Sequence, residues 1–256
     1  MNWKPDLFFG KRETPAGQGP GGDATAPPRG ETQTADLLPY VVPMFIYVTL
    51  AGAEGYLPQL GSKPSPTWYG AAYAARVAIV AALAFRYRET WKDLRPWPRL
   101  PGIALAIATG LLVTFLWIKL DSFYPRFGFM GKRTSFDPSG MDALPRVLFY
   151  VIRMTGLVLL VPLIEELFWR SFLIRWLIDP DFRRVPIGRV TWMSGGVTSV
   201  LFAAAHPEWL PALITGALWA WLLHQTKSLG ACFISHVVAN LALGIYVIHF
   251  GAWDFW

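Results

Sequence analysis

Seven apolar blocks, near residues 37–54, 67–86, 101–120, 144–166, 190–206, 209–223 and 229–250, dominate this chain. A helix needs roughly 17 to 22 apolar residues to cross about 30 Å of hydrocarbon, so most of these blocks are long enough to span a bilayer. That single property limits the fold more than any motif does. Composition agrees: 54% of the residues are hydrophobic and 16% are charged, with a mean hydropathy of +0.35, whereas soluble domains are nearer half apolar and a quarter charged. The expected fold class is all-α, a polytopic transmembrane helical bundle of about 7–8 spans.

Residues 1–35 contain no apolar h-region and are rich in Gly, Pro and Thr. They read as a disordered tail and not as a cleavable signal peptide. The helical membrane domain is then 36–256, with a catalytic core at about 144–250. The fourth block should continue helical to about Leu177, before Asp179-Pro180. Pro207 directly after His206 biases that position away from α geometry and marks a helix end. Trp68, Trp91, Trp209 and Trp256 lie near predicted span ends, where interfacial anchors belong.

The net charge of +6 is no nucleic-acid signal in such a chain, because basic loops of membrane proteins set orientation and meet anionic lipid. A cytoplasmic N-terminus places 15 Lys and Arg on inner loops against 6 on outer loops, with Arg76 and Arg153 inside spans. The bias favours that orientation. Cys232 is the only cysteine, which excludes an intrachain disulfide and a cysteine metal cluster.

Three polar groups stand out within the apolar blocks. Glu165-Glu166 with Arg170 follows directly on the run Gly156–Ile164. A charge at that depth costs roughly 2.5 to 3.5 kcal/mol and persists where it meets a partner or a wet cavity. Glu166 and Arg170 are four apart and share a helix face. Glu165 is rotated about 100° away and lacks that partner. One glutamate is thereby a structural ion and the other, Glu165, a candidate general base; an interhelical salt-bridge cluster explains the motif as well. His206 ends the run Leu201-Phe202-Ala203-Ala204-Ala205, whose small residues admit a neighbouring helix. His236 and Asn240 are again four apart, so both side chains face one way and can donate to one developing oxyanion. Each of these, alone, is also ordinary interhelical hydrogen bonding. His224 and His249 lie near span ends and read as interfacial.

Taken together, Glu165-Glu166…Arg170, Phe202…His206 and His236…Asn240 resemble the CPBP family, the CAAX proteases and bacteriocin-processing enzymes typified by the type II CAAX prenyl endopeptidase. That family shows EExxxR, FxxxH and HxxxN or HxxxD in successive membrane helices. The resemblance covers about residues 144–250. It implies a membrane-embedded endopeptidase of a bacterial cytoplasmic membrane, its site in a cavity toward the cytosol. The implied substrate is a peptide or prenylated protein, cut near its C-terminus or leader. It further implies that Glu165 and His206 activate a water, that His236 and Asn240 stabilise the oxyanion, and that Glu166, Arg170 and Phe202 support the site, without a cofactor.

Other readings remain open. A zinc-dependent protease would draw ligands from Glu165, Glu166, His206 and His236, although the chain has no HExxH. A thiol protease would use Cys232 with His236. Intramembrane acids and histidines also mark transporters and proton relays, and a non-catalytic membrane scaffold would carry the same residues without using them.

Overall fold

The computed structural model describes residues 34–60, 63–125, 127–128 and 135–256. Residues 1–33 of the predicted tail, and Phe129, Met130 and 131–134 of the loop after the third block, lie outside the described residues.

Helices form at all seven predicted places: α1 Thr34–Ala53, α2 Pro66–Arg86, α3 Leu100–Lys119, α4 Ala143–Trp176, α5 Trp192–Ala204, α6 Trp209–Thr226 and α7 Leu229–Phe250. The chain folds as an all-α membrane helical bundle; the strands among the described residues are a two-residue antiparallel pair, β1 Gln59–Leu60 and β2 Lys63–Pro64. The helix starts follow local chemistry. Proline occupies the first turn of α2 and α3, where a missing N–H removes no intrahelical bond. Thr191 and Ser194 form a reciprocal cap on α5. At the end of α7 Gly251 has φ 63°, a left-handed conformation that glycine adopts without strain.

Two expectations can be set beside the structure. Among the described residues five helices are long and apolar enough, by length and composition, to cross a membrane, beside the seven or eight spans expected. Helix α5 has 13 residues, or about 20 Å of length, because the chain turns at Ala205–Glu208 after starting at Trp192. Trp256 is also no interfacial anchor: it is 9% exposed, stacks on Tyr150 and covers the Arg153 guanidinium at 5.2 Å.

Helix α4 organises the rest. It runs 34 residues and contains two π-turns, Gly156–Leu160 and Leu167–Leu173. Such wide turns concentrate at functional sites, and the two glutamates sit between them. Helices α3 and α7 lie side by side in the same direction. A Cβ on Gly110 would come within 2.4 Å of the Ser235 carbonyl oxygen, so only glycine admits this approach. One turn on, Thr114 donates to the Ala239 carbonyl at 3.0 Å. These contacts fix the stretch of α7 that carries His236 and Asn240. Helices α5 and α6 pair as a hairpin and close the core with Phe202 and Trp219, both 2% exposed.

Candidate active site

Glu166 is fully buried and is the hub of the polar centre. Its Oε1 accepts from Arg170 Nη1 at 3.2 Å and lies 2.9 Å from His236 Nδ1. Arg170 is 1% exposed and sits over the rings of Phe202 at 4.6 Å and Trp219 at 4.8 Å. Aromatic faces attract a guanidinium electrostatically, more so when it is desolvated. The arginine is thus held by a carboxylate on one side and two rings on the other. Trp219 also covers the His236 imidazole, with ring centroids 4.2 Å apart, and its own N–H donates to Ser235 Oγ at 3.0 Å.

The first π-turn, Gly156–Leu160, gives Asn240 its place. In the π register the Val161 N–H reaches the Gly156 carbonyl, and the next residue, Pro162, has no N–H to offer. The Leu157 carbonyl therefore loses its helical partner. Asn240 Nδ2 donates to it at 2.7 Å, which leaves the amide one further N–H and its oxygen. Imidazole and amide do share one face of α7, as their spacing requires, but one amide proton is committed to the helix bulge.

His206 Nδ1 lies 2.7 Å from the Phe202 carbonyl oxygen. A carbonyl only accepts, so Nδ1 carries the proton and the neutral ring presents Nε2 as an acceptor. Phe202 thereby orients His206 through its backbone, while its ring contacts both the imidazole at 4.5 Å and Arg170. Glu165 is 6% exposed, and its Oε2 has no hydrogen-bond partner among the described residues. The structure joins Glu166, Arg170 and His236 directly, and joins Phe202 to both Arg170 and His206. It places no hydrogen bond between Glu165 and His206 among the described residues.

Other candidate groups fall elsewhere. The Cys232 thiol donates to the Trp219 carbonyl at 3.5 Å, while His236 is bonded to Glu166; the spacing that suggested a thiol–imidazole pair produces none among the described residues. No three His, Cys, Asp or Glu among the described residues are grouped to hold a metal ion, and Glu165, Glu166, His206 and His236 are not arranged as such a set. His224 is exposed beside Lys227, and His249 is exposed near the end of α7.

Sequence reasoning missed a second polar cluster, one turn beyond the first. Asp93 Oδ2 accepts from Tyr40 at 2.9 Å, from Ser171 Oγ at 2.5 Å and from Arg175 Nη2 at 2.9 Å. Arg175 also donates through Nε to the Ser171 carbonyl and through Nη2 to Ser171 Oγ at 2.6 Å. The cluster ties α1, the turn Arg88–Leu94 and the second π-turn together. Its one available signal was Arg175 following Arg170 on a helix that continues past the acids.

No curated protein and no solved structure matches the chain. Residues 147–242 match the model of the family described as type II CAAX prenyl endopeptidase Rce1-like. All seven motif residues from Glu165 to Asn240 fall within that segment, so the resemblance to the CPBP family of membrane proteases holds for the part of this multi-pass membrane chain that builds the site.

Proposed function

We propose that this protein is a membrane-embedded endopeptidase that hydrolyses a peptide bond with a water activated by Glu165 and His206. The observation that carries this reading is the contrast between the two adjacent acids: Glu166 is tied through Oε1 to Arg170 and His236, whereas Glu165, also buried, has no such ion pair and its Oε2, like Glu166 Oε2, is unpartnered among the described residues. A buried carboxylate oxygen without a partner is costly to keep and fits a group that takes a proton from water. The water oxygen adds to the scissile carbonyl carbon, its proton passes to Glu165, and the same proton then goes to the departing amine nitrogen. His206 Nε2 accepts the second water O–H and orients the attack. The remaining Asn240 N–H faces the developing oxyanion, and so does His236 in its imidazolium form, whose Nδ1–H donates to Glu166 and whose Nε2–H is left to donate. No metal or other cofactor is required by this scheme.

A second reading of the same site is favoured by the 2.9 Å contact between His236 and Glu166. A carboxylate that orients an imidazole makes the far nitrogen a base, so His236 would take the water proton and Glu165 would steer it.

The substrate class is a membrane-associated peptide or prenylated protein cut near its C-terminus or in a leader, and the setting is a bacterial cytoplasmic membrane with the N-terminus inside. Mass-spectrometric mapping of new protein termini in membranes expressing wild type or Glu165→Gln tests the reading. Termini produced by wild type and absent with Glu165→Gln, in the presence and absence of a chelator, support it. Identical termini in both would overturn it, termini lost only under chelation would replace it by a zinc protease, and loss in His236→Gln with retention in Glu165→Gln would select the second reading.

A further inference from the structure

The helix turn that carries the motif contains one polar group the motif does not use. Trp169 is 6% exposed, and its indole nitrogen has no hydrogen-bond partner among the described residues. Buried indole N–H groups ordinarily find an acceptor. Trp169 follows Glu165 by four residues, so the two side chains leave α4 on one face, one turn apart. Glu165 Oε2 is likewise unpartnered among the described residues. The Trp169 ring meets Phe202 edge-on at 5.6 Å, and it is the Phe202 carbonyl that fixes the His206 tautomer. An acceptor (Glu165) and a donor (Trp169) therefore share one face of α4, and the Phe202 ring lies against both Trp169 and His206, whose Nε2 is a second acceptor.

We propose that Trp169 is a further catalytic residue, whose indole N–H donates to the oxygen of the attacking water. This rests on the endopeptidase reading. The stereochemistry of water accounts for all three groups. Its two O–H bonds go to Glu165 and His206, one lone pair accepts from Trp169, and the second lone pair is left to attack the carbonyl carbon. Without the indole N–H the oxygen can rotate, and the attacking lone pair is no longer held on the carbonyl. The role is positional for the nucleophile, so it acts on turnover and not on substrate affinity.

The test replaces Trp169 with β-(3-benzothienyl)alanine, which keeps the bicyclic shape and substitutes sulfur for the N–H, and separately makes Trp169→Phe. The probes are fluorogenic peptides ending in a free carboxylate, with and without S-farnesylcysteine; the rate is taken on the peptide that wild type cleaves and Glu165→Gln does not. The expected result is a kcat lower by roughly 10- to 100-fold in both variants with KM within about two-fold of wild type, at an unchanged thermal midpoint. A benzothienyl variant with wild-type kcat overturns the assignment, as does a loss that follows a raised KM and a lowered midpoint, which would make Trp169 a packing residue. Glu165→Gln separates the levels. If it is inactive while the benzothienyl variant is fully active, only the Trp169 proposal falls; if Glu165→Gln cleaves every peptide that wild type cleaves, the Glu165-activated water falls, and with it the basis of the Trp169 proposal.

Discussion

Helix α4 takes part in two buried clusters, each an arginine against a carboxylate, with Arg170 and Arg175 five residues apart, and they are built to opposite ends. Around Asp93, the carboxylate, Tyr40, Ser171 and Arg175 satisfy one another, and none of these four side chains has an unpartnered buried polar atom among the described residues. Around Glu166 the carboxylate, Arg170 and His236 are joined as well, yet Glu165 Oε2, Glu166 Oε2, Trp169 Nε1 and Arg170 Nε and Nη2 remain without partners among the described residues. A closed network rigidifies, whereas an open one in a dry interior is a cost that function has to justify. A buried acid paired with an arginine therefore does not by itself mark an active site. What separates the two clusters is which polar atoms are left over.

The sharpest way to break the comparison is to remove the cation shared by the open cluster. Arg170→Met leaves Glu166 buried without its ion-pair partner, at a cost of about 3–5 kcal/mol, and should lower the thermal midpoint in detergent and abolish cleavage. Adding Glu166→Gln should restore the midpoint but not the activity, because His236 then loses its carboxylate. A double variant that regains turnover would show that Glu166 and Arg170 are only a structural pair.

A smaller effect is expected from Pro162→Ala. It returns an N–H to the π-turn and removes a helix-interior proline that costs about 3 kcal/mol against alanine. The Leu157 carbonyl then finds a helical partner and Asn240 is released. The account predicts a midpoint at or above that of wild type and a kcat reduced on the order of ten-fold. An unchanged kcat would disconnect the bulge from catalysis. The smallest effect belongs to Cys232→Ala. Its thiol faces the Trp219 carbonyl, so the variant should lose about 1 kcal/mol of stability and cleave within roughly two-fold of wild type; loss of cleavage with an unchanged midpoint would revive the thiol reading.

These contrasts also explain what could be read from residues alone. Helix positions were legible because long apolar blocks have few alternatives, and the predicted ends of α2, α3 and α7 fall within a residue of the observed ones. The length of α5 was not, since its apolar block looks the same whether the chain crosses or turns back at Pro207. Spacing correctly paired Glu166 with Arg170 and put His236 beside Asn240 on one face. It said nothing of the π-turns, which depend on helix register, although Pro162 lies directly beyond the first of them. Asp93 was invisible for a different reason. In Arg88-Glu89-Thr90-Trp91-Lys92-Asp93-Leu94 it looks like one more loop charge, and only the fold returns that turn to α4. Trp256 was misassigned because terminal aromatics are common at interfaces, and the partner that buries it, Arg153, is about a hundred residues away in sequence.

The most direct measurement sets Glu165→Gln beside Asp93→Asn, reading cleavage rate and thermal midpoint on the same preparations. The account predicts that Glu165→Gln loses at least about a thousand-fold in kcat while keeping or raising its midpoint, since a buried, unpartnered charge has been removed. It predicts that Asp93→Asn drops the midpoint and keeps kcat within several-fold in the folded fraction. Normal cleavage by Glu165→Gln, or an Asp93→Asn variant that stays folded but is dead, would contradict the division of α4 into a catalytic cluster and a structural one.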